Sequence, residues 1–407
     1  MTASRVLVLN SGSSSVKYQL LDMADRSRLA VGLVERIGEE TSRLVHERLT
    51  DAPGPETGEA KREVLGPIAD HRAALTAVAA ELAADGIGLD SPELAAIGHR
   101  VVHGGTKFTQ PTVIDDEVLA EIRALVPLAP LHNPANVTGI EVARALRADL
   151  PQVAVFDTAF HSTMPEYVAR YAIDAATADK HSIRRYGFHG TSHAYVSRTT
   201  AALLGRAPED VNVIVLHLGN GASASAVRGG VCVETSMGLT PLEGLIMGTR
   251  SGDLDPAVVF HLARVGGLSV DEIDSLLNKK SGLLGMCGDN DMREVLRRAG
   301  EGDEAAGVAF AAYVHRLKKY IGAYSAVLGR VDAVVFTAGV GENAHQVREA
   351  AVDGLAELGL ALDLEANAVR SPEPRLISAD YARVAVAVVP TEEELEIATQ
   401  AYELVTR

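Results

Sequence analysis

The sequence predicts an α/β fold made of two similar domains, and two observations lead to that prediction. Predicted strands and helices alternate along most of the 407 residues, which is typical of mixed sheets covered by helices. A short β-branched strand that ends in a turn of Gly, Asn and small hydroxyl residues also occurs twice, over residues 5–17 and 213–225. Two altered copies of one motif, about half the chain apart, indicate a duplicated domain.

The glycine-rich turns predict where this duplicated fold binds a ligand. Residues 219–221 read Gly-Asn-Gly, and residues 339–341 read Gly-Val-Gly after another buried-type strand. Such turns let backbone N–H groups approach an anion closely, because no Cβ is in the way. Each turn alone is also compatible with a tight β-turn, and none has the spacing of a Walker or Rossmann loop. With the turn at residues 10–15, they favour a nucleotide held between the two halves.

The order of predicted elements places the domain boundary. The first half has strands at residues 5–9, 16–21, 31–35, 94–102 and 153–156, a polar loop or mobile hairpin tip at 47–62, and helices at 73–82 and 136–146. The second half has hairpins at residues 211–234, a glycine-rich loop at 238–252, strands at 331–336 and 384–389, and helices at 304–328 and 392–406. We therefore predict a first domain of residues 1–157, joined by the C-terminal helix of about 392–407, and a second, nucleotide-binding domain of residues 158–391.

The overall charge argues against two classes of partner. The chain has 38 Lys and Arg against 54 Asp and Glu, a formal net charge of −16. Nucleic acids and anionic membranes need a basic face, so neither is expected to bind. No stretch is apolar for the length of a membrane span and the N-terminus has no secretion signal, so we predict a cytoplasmic protein. Cys232 and Cys287 are expected to be buried, reduced thiols.

Four side chains are candidates for chemistry on an anion. Arg100 and Arg250 are embedded among apolar and glycine residues, where a guanidinium typically meets a carboxylate or phosphate. For Arg250, an ion pair with Asp253 is the alternative. Asp157 ends a buried-type strand, where ligands gather in α/β sheets, although a helix cap is also open. His189 lies between two glycines, which allow its ring to be directed into a cleft.

Charged residues near the two ends of the chain predict a helix cap and ligands for a phosphate and a metal ion. Thr391 and Glu394 have the spacing of a capping box, and acids at a helix N-terminus suit its dipole. Glu393 is then left to face a cleft and hold Mg²⁺, often through water. Lys17, beyond the first turn, either neutralises a phosphate or is a solvated strand charge.

Several long motifs resemble those of the acetate kinase (acetokinase) family. They cover residues 8–17, 184–193, 217–223, 237–256, 336–343 and the glutamate-rich segment before the last helix. The resemblance implies the fold of acetate and sugar kinases, Hsp70 and actin, in which two duplicated ribonuclease H-like domains bind ATP in the cleft between them. It also implies reversible phosphoryl transfer from ATP to acetate, giving acetyl phosphate and ADP. It further implies Mg²⁺, which Mn²⁺ can replace, and a homodimer.

The resemblance assigns a role to each matching residue. Asp157, His189 and Arg250 would be catalytic, and Asn10 and Glu393 would hold the metal. The acetate-binding residues would be Arg100, Val102, Leu131, Phe188 and Pro241. The ATP contacts would be Lys17, His217, Leu218, Gly219, Asn220, Gly221, Asp291, Met292, Arg293, Gly339, Val340, Gly341, Glu342 and Asn343. The chain departs from the family pattern at Glu234, Leu239, residues 287–290 and Glu392, which lie outside the core roles.

The expected mechanism follows from the charge of the nucleophile. Acetate is already ionised at pH 7, so we expect direct in-line transfer that needs positioning and charge neutralisation but no strong general base. A propionate or butyrate kinase is the first alternative, because one methylene in the pocket is worth only about 1–3 kcal/mol. The second is an ATP-gated binding module of the chaperone or actin type, which needs no pair of buried arginines for an anionic acceptor.

Overall fold

The computed structural model describes residues 3–49, 61–130 and 132–407. The chain divides into two compact units. Unit 1 is Met1–Ala159 together with Glu392–Arg407, and unit 2 is Phe160–Thr391. The C-terminal segment therefore folds with the N-terminal part of the chain.

Unit 1 is built on an eight-stranded sheet. Its strands are β1 (Arg5–Ser11), β2 (Ser15–Asp22), β3 (Ser27–Glu35), β4 (Arg43–Arg48), β5 (Lys61–Leu65), β6 (Leu94–Val101), β7 (Thr112–Val113) and β8 (Gln152–Phe156). They lie in the order β5-β4-β3-β2-β1-β6-β8-β7. Strands β1 to β5 form an antiparallel meander, whereas β6 runs parallel to both β1 and β8, and β7 is antiparallel to β8.

Unit 2 repeats this topology in a six-stranded sheet. Its strands are β9 (Asn212–Leu218), β10 (Ala222–Arg228), β11 (Val231–Thr235), β12 (Ala333–Thr337), β13 (Arg375–Leu376) and β14 (Ala385–Val388). The order β11-β10-β9-β12-β14-β13 corresponds strand for strand to β3-β2-β1-β6-β8-β7. Parallel and antiparallel pairings also correspond. The predicted duplicated α/β architecture is confirmed by this repeat.

Fifteen helices accompany the sheets in the described parts of the chain. They are α1 (His71–Ala84), α2 (Asp116–Ala124), α3 (Asn133–Leu146), α4 (Glu166–Ala169), α5 (Ala175–Lys180), α6 (Gly190–Leu203), α7 (Ala257–Arg264), α8 (Val270–Lys279), α9 (Gly282–Cys287), α10 (Met292–Gly300), α11 (Glu304–Leu328), α12 (Ala338–Asn343), α13 (His345–Val352), α14 (Leu364–Ala368) and α15 (Glu393–Thr406). Within the described residues, none of these helices is both long enough and apolar enough to cross a membrane.

Side-chain alternation explains why both faces of each sheet are covered. On β1, Leu7 and Leu9 enter a core shared with α1 and α3, whereas Val6 and Val8 enter a second core shared with α15. In unit 2, Val213 and neighbouring apolar residues of β9 pack with α6. This packing fixes the first residue of α15 in unit 1 and the N-terminus of α6 in unit 2, where two of the candidate site residues lie.

Three local predictions need correction or limits. The glycines at residues 339–341 lie inside helix α12, not in a β-turn. The predicted capping box is wrong, because α15 has no side-chain cap and the Thr391 hydroxyl donates instead to Oγ of Ser192, at 2.7 Å. The stretch predicted as a loop or hairpin tip, residues 47–62, overlaps the ends of the antiparallel pair β4 and β5, and its residues 50–60 lie outside the described residues.

Candidate active site

In unit 1, two neighbouring parallel strands bring Arg100 and Asp157 together. Arg100 lies on β6 opposite Val155 of β8, and Asp157 follows the last residue of β8. The guanidinium donates from Nε to Oδ1 of Asp157 at 3.0 Å and from Nη2 to Oδ2 at 2.6 Å. Asp157 is 1% exposed, so this two-point contact is a buried ion pair. Two N–H groups of Arg100 thus face Asp157, and others remain for a second anion.

Glu393 joins this pair from the start of α15. Its Oε2 lies 3.9 Å from Nε of Arg100. Burial alone would lower the pKa of Arg100, but the carboxylates of Asp157 and Glu393 raise it above its ordinary value. Burial raises the pKa of Glu393, and Arg100 offsets part of that rise. Two carboxyl groups, those of Asp157 and Glu393, therefore lie beside the single guanidinium of Arg100.

The segment after β6 is held by amide side chains of α3. The N–H of Val102 donates to Oδ1 of Asn136 at 3.1 Å, and Asn136 donates to the carbonyl of Ser11 at 2.9 Å. The same helix therefore fixes both the candidate acetate-binding segment and the end of β1. Val102 is buried, whereas Leu131, the neighbouring candidate for the methyl pocket, lies outside the described residues.

The predicted metal ligands of unit 1 provide oxygen donors that suit Mg²⁺. Asn10 pairs with Lys17 across the β1–β2 hairpin, and Nζ of Lys17 lies 2.5 Å from the carboxylate of Glu394. The surplus negative charge around Glu393 fits a divalent cation. Among the described residues, no group of three or more His, Cys, Asp or Glu is arranged as a metal site. Mg²⁺ commonly keeps water and phosphate ligands, so two protein ligands suffice.

Unit 2 contains a cleft of about 960 Å³, large enough for a nucleotide. Among its lining residues are eight predicted ATP contacts: Gly219, Asn220, Asp291, Met292, Arg293, Gly339, Val340 and Asn343. Four further predicted ATP contacts belong to the same strand, turn and helix as these lining residues. Leu218 and His217 end β9, Gly221 completes the turn, and Gly341 lies within α12. Glu342 accepts the N–H of Ala338 at 2.8 Å and holds the first turn of α12.

Close backbone contacts shape the glycine turn in this cleft. The N–H of Gly248 donates to the carbonyl of Asn220 at 2.9 Å, which ties the long glycine-rich loop to the β9–β10 turn. A Cβ on Gly248 would lie 2.0 Å from Oδ1 of Asn220. Asn290, one of the departures from the family pattern, donates to the same oxygen at 3.3 Å. The position of Asn220 therefore depends on Gly248 having no side chain.

His189 is the residue that caps the start of α6, with a left-handed backbone (φ +58°). Its ring stacks on that of His217, with centroids 4.2 Å apart. Nδ1 of His189 lies 2.9 Å from Oγ of Ser223 on β10. Gly187, just before, has φ +76°, and a Cβ there would lie 2.5 Å from Thr235. Local backbone geometry and packing thus hold the imidazole in one orientation.

Arg250 is a partly buried arginine whose guanidinium lacks a carboxylate partner in the described parts of the chain. Its Nη1 donates to the carbonyl of Pro241 at 3.1 Å and lies 3.7 Å from the sulfur of Met247. Asp253, the proposed alternative partner, instead contacts Arg316 at 3.5 Å and Tyr320 at 2.9 Å. Partial burial lowers the pKa of Arg250 below its ordinary value.

The Pro241 loop is held by a clamp of polar side chains. Arg185 donates to the carboxylate of Glu243 at 2.6 Å and to three consecutive carbonyls beginning at Thr235. Tyr171 also contacts Glu243. Phe188, the other unit 2 candidate for the methyl pocket, is buried. Phe188 and the loop of Pro241, the two unit 2 candidates for the methyl pocket, are therefore held by packing and by hydrogen bonds respectively.

The other departures from the family pattern sit apart from the candidate catalytic side chains. Glu392 pairs with Arg28, Leu239 donates its N–H to Tyr171 at 3.0 Å, and burial raises the pKa of Glu234. Cys232 and Cys287 are free and buried, as expected. Burial also raises the pKa of Cys232, so its thiol is unreactive.

The structure adds polar residues that the sequence reasoning missed. Ser223 and Ser225 on β10, and Ser192 and His193 on α6, are all buried. Ser223 and Ser225 hydrogen-bond to His193, and Ser192 hydrogen-bonds to His217. Their spacing in the sequence could have indicated this cluster. Ser223 and Ser225 have the spacing of one face of a strand, and His189 and His193 have the i,i+4 spacing of one face of a helix.

The repeated topology defines the chain as an α/β protein with two duplicated domains of the actin and Hsp70 type. The model of the acetokinase family matches residues 5–399, so the chain belongs to that family. It is 76% identical over 405 residues to an acetate kinase of Streptomyces avermitilis, covering 100% of this chain and 98% of that one. The resemblance inferred from the motifs is thereby confirmed.

Two solved structures match the whole fold. An acetate kinase of Porphyromonas gingivalis is 44% identical, with a TM-score of 0.91 over 100% of both chains. A propionate kinase of Francisella tularensis is 43% identical, with a TM-score of 0.90 over 98% of both chains. These matches confirm the predicted fold class.

Proposed function

We propose that this protein catalyses reversible phosphoryl transfer from ATP to acetate, giving acetyl phosphate and ADP. Membership of the acetokinase family supports this reaction class. Arg250 carries the proposal, because a partly buried guanidinium with no carboxylate partner among the described residues suits an exogenous anion. The transferred phosphoryl group is such an anion. A fixed guanidinium would stabilise the charge that develops on its oxygens in the transition state.

The acceptor site is assigned to unit 1. Arg100 would bind the acetate carboxylate with the N–H groups that do not face Asp157. Asp157 would orient the guanidinium, as the bidentate contact does here. Val102, Leu131, Phe188 and Pro241 would surround the methyl group. No residue has to remove a proton, because the carboxylate attacks in its ionised form.

The phosphoryl site is assigned to unit 2. His189 and Arg250 would donate to phosphoryl oxygens, and the residues that line the cleft would hold the nucleotide with His217, Leu218, Gly221, Gly341 and Glu342. Lys17 of unit 1 would act on the phosphates once released from Glu394. Mg²⁺ at Asn10 and Glu393 would, when bound, neutralise charge on the ATP phosphates.

We also propose a homodimer located in the cytoplasm. The amphipathic helix α7 buries none of its residues within one chain, and Phe260 on it is 55% exposed. Val265, just beyond the helix, is 73% exposed. The family resemblance implies a second copy of the chain as partner, and we propose that this copy covers the apolar surface of α7. The net charge of −16 supports the absence of nucleic acid partners.

The reaction is tested by trapping its product. Incubation with ATP, Mg²⁺, acetate and hydroxylamine should give acetyl hydroxamate, at a rate proportional to enzyme concentration. Failure to form hydroxamate under these conditions would overturn the proposal and favour an ATP-gated binding module.

Propionate is a second candidate acceptor, because one structural neighbour with a TM-score of 0.90 is described as a propionate kinase. The two acceptors differ by one methylene, so discrimination is set by pocket volume. Comparing kcat/KM for acetate, propionate and butyrate decides between them, and we expect acetate to be preferred by roughly tenfold or more.

A further inference from the structure

A row of four hydrogen-bonded side chains leads from the interior of unit 2 to His189. Oγ of Ser225 lies 2.7 Å from Nδ1 of His193, and Nε2 of His193 lies 2.7 Å from Oγ of Ser223. Oγ of Ser223 lies 2.9 Å from Nδ1 of His189. The first three side chains are fully buried. We call these four residues the Ser–His row.

We propose that the Ser–His row is a positioning device that keeps the ring proton of neutral His189 on Nε2. His189 can then donate a hydrogen bond to the transferred phosphoryl group without carrying a charge. The identity of that anion rests on the proposed function, whereas the position of the proton does not.

The direction of the row follows from Ser225 at its inner end. Among the described residues, its hydroxyl has one side-chain partner, Nδ1 of His193. If Ser225 accepted a proton from that nitrogen, its own O–H would be buried without an acceptor, at a cost of about 1–3 kcal/mol. Ser225 therefore donates to Nδ1, which places the proton of His193 on Nε2.

The next two steps follow from proton counting. Burial lowers the pKa of His193 well below its ordinary value, and the neighbouring His161 and His217 lower it further, so the ring is neutral and has one N–H. That N–H, on Nε2, donates to Oγ of Ser223. Ser223 then has its own proton left for Nδ1 of His189, and the ring proton of His189 must be on Nε2.

Nε2 of His189 and the guanidinium of Arg250 both lie close to Gly221 in the glycine turn. A Cβ on Gly221 would lie 3.7 Å from Nε2 of His189 and 3.4 Å from Nη1 of Arg250. With the row reversed, neutral His189 would present a lone pair on Nε2, which repels an anion. The observed arrangement gives one N–H donor beside one cation, which suits phosphoryl oxygens.

Nitrogen NMR tests the proton position directly. Wild-type protein labelled with ¹⁵N in the histidine rings is compared with His189→Asn to assign the His189 signals. We expect Nε2 to be protonated and Nδ1 to be unprotonated at pH 7.5. A proton on Nδ1, or on both nitrogens, would overturn the proposal. This result does not depend on kinase activity, so it separates failure of the row from failure of the proposed function.

Variants test whether the row serves catalysis. Ser223→Ala and Ser225→Ala should each lower kcat roughly tenfold or more, with KM for ATP and acetate nearly unchanged, because a transition-state donor loses its orientation. Ser223→Thr keeps a hydroxyl and should recover most of kcat. Ser197→Ala is the matched control, since this buried serine of α6 donates only to the carbonyl of Ala194. Unchanged kcat in a folded Ser223→Ala enzyme, judged by its Tm, would contradict the proposal.

Discussion

At the residue scale, the two candidate arginines of this chain have opposite electrostatic surroundings. Arg100 has carboxylates at 2.6 and 3.9 Å, and they raise its pKa. Within the described part of the chain, Arg250 contacts a carbonyl oxygen and a sulfur and pairs with no carboxylate, and burial lowers its pKa. An arginine already paired with a carboxylate is suited to hold a substrate carboxylate at its remaining edge. An unpaired one is suited to charge that develops during the reaction.

Replacing Arg250 tests this difference. Arg250→Ala should lower kcat by about 10²–10³ while KM for acetate changes little, because the lost donor acts on the transferring phosphoryl group. Arg250→Lys keeps the charge and should recover part of the rate. Steady-state kinetics in both substrates measures the effect. Near-normal turnover of Arg250→Ala would show that this arginine has been assigned the wrong role.

His99 predicts a pH dependence of stability. It is 2% exposed, donates from Nε2 to Gln152 at 2.7 Å, and burial lowers its pKa from 6.5 to about 4. Between pH 6.5 and 4 the unfolded chain binds this proton and the folded chain does not. The contribution of His99 is therefore full above pH 6.5, and roughly 3 kcal/mol is lost as the pH falls to 4.

Denaturant titrations at several pH values check this contribution. The stability difference between wild type and His99→Leu should shrink by that amount between pH 6.5 and 4. His181→Gln, at an exposed histidine, should keep the wild-type slope. A constant difference between wild type and His99→Leu across this range would refute the assignment.

At the element scale, the functional groups sit where strands and helices end. Asp157 follows β8, the glycine turn follows β9, His189 begins α6 and Glu393 begins α15. In both sheets, the parallel strands end at the edge that carries these residues, as is usual for α/β ligand sites. The glycine-rich loop then closes on one of these strand ends through the contact of Gly248 with Asn220.

Gly248→Ala tests the contact between that loop and the turn. Its Cβ would displace the Asn220 side chain, 2.0 Å away, into the nucleotide cleft. We expect KM for ATP to rise roughly tenfold, the equivalent of about one hydrogen bond, with KM for acetate unchanged.

Gly307→Ala in α11 is the matched control, because a Cβ there meets nothing within 4 Å. It should stabilise the protein by about 0.5–1 kcal/mol and leave KM unaltered. An unchanged KM for ATP in Gly248→Ala would count against the cleft as the nucleotide site.

The sequence predicted elements well where local signals dominate. The 25-residue helix Glu304–Leu328 was predicted with its observed ends from its apolar pattern. In the structure, the Asp303 side chain caps its N-terminus and Gly329 follows its last residue. The Thr391–Glu394 box failed because tertiary partners compete for both side chains, Ser192 for the hydroxyl and Lys17 for the carboxylate. The short helix α12 was missed because its glycines resemble a turn.

The candidate site was predictable where it lies in a motif and not where it depends on distant contacts. Arg100, Asp157, His189 and Arg250 were proposed as site residues from their unusual neighbours in the sequence, and their roles stay predictions. The pairing of Arg100 with Asp157 joins residues 57 positions apart, and no local pattern encodes it. Nothing in the local sequence distinguishes Ser223 and Ser225 from other small strand residues. Their contact with His193 is visible only in the structure.

At the scale of the whole molecule, duplication has produced two units with the same strand order and different side-chain chemistry. Unit 1 presents an arginine with surplus carboxylates, whereas unit 2 presents glycine turns, stacked histidines and an unpaired arginine. With the proposed assignment, one topology would support an acceptor site in unit 1 and a nucleotide site in unit 2. Such a division would let a duplicated fold serve an asymmetric reaction.

The exposed face of α7 predicts the oligomeric state. Wild type should have twice the mass of one chain by light scattering, and Phe260→Asp should shift it to one chain, because a buried carboxylate without a partner is costly at an interface. Tyr381→Asp is the control, since Tyr381 is 81% exposed outside this face. A Phe260→Asp protein that stays dimeric would place the interface elsewhere.

The central claim is most directly tested by ³¹P NMR of wild-type enzyme mixed with ATP, Mg²⁺ and acetate. We predict that signals of acetyl phosphate and ADP grow together, and that ATP forms when acetyl phosphate and ADP are supplied instead. Loss of ATP with release of inorganic phosphate alone, or no turnover in either direction, would contradict the account.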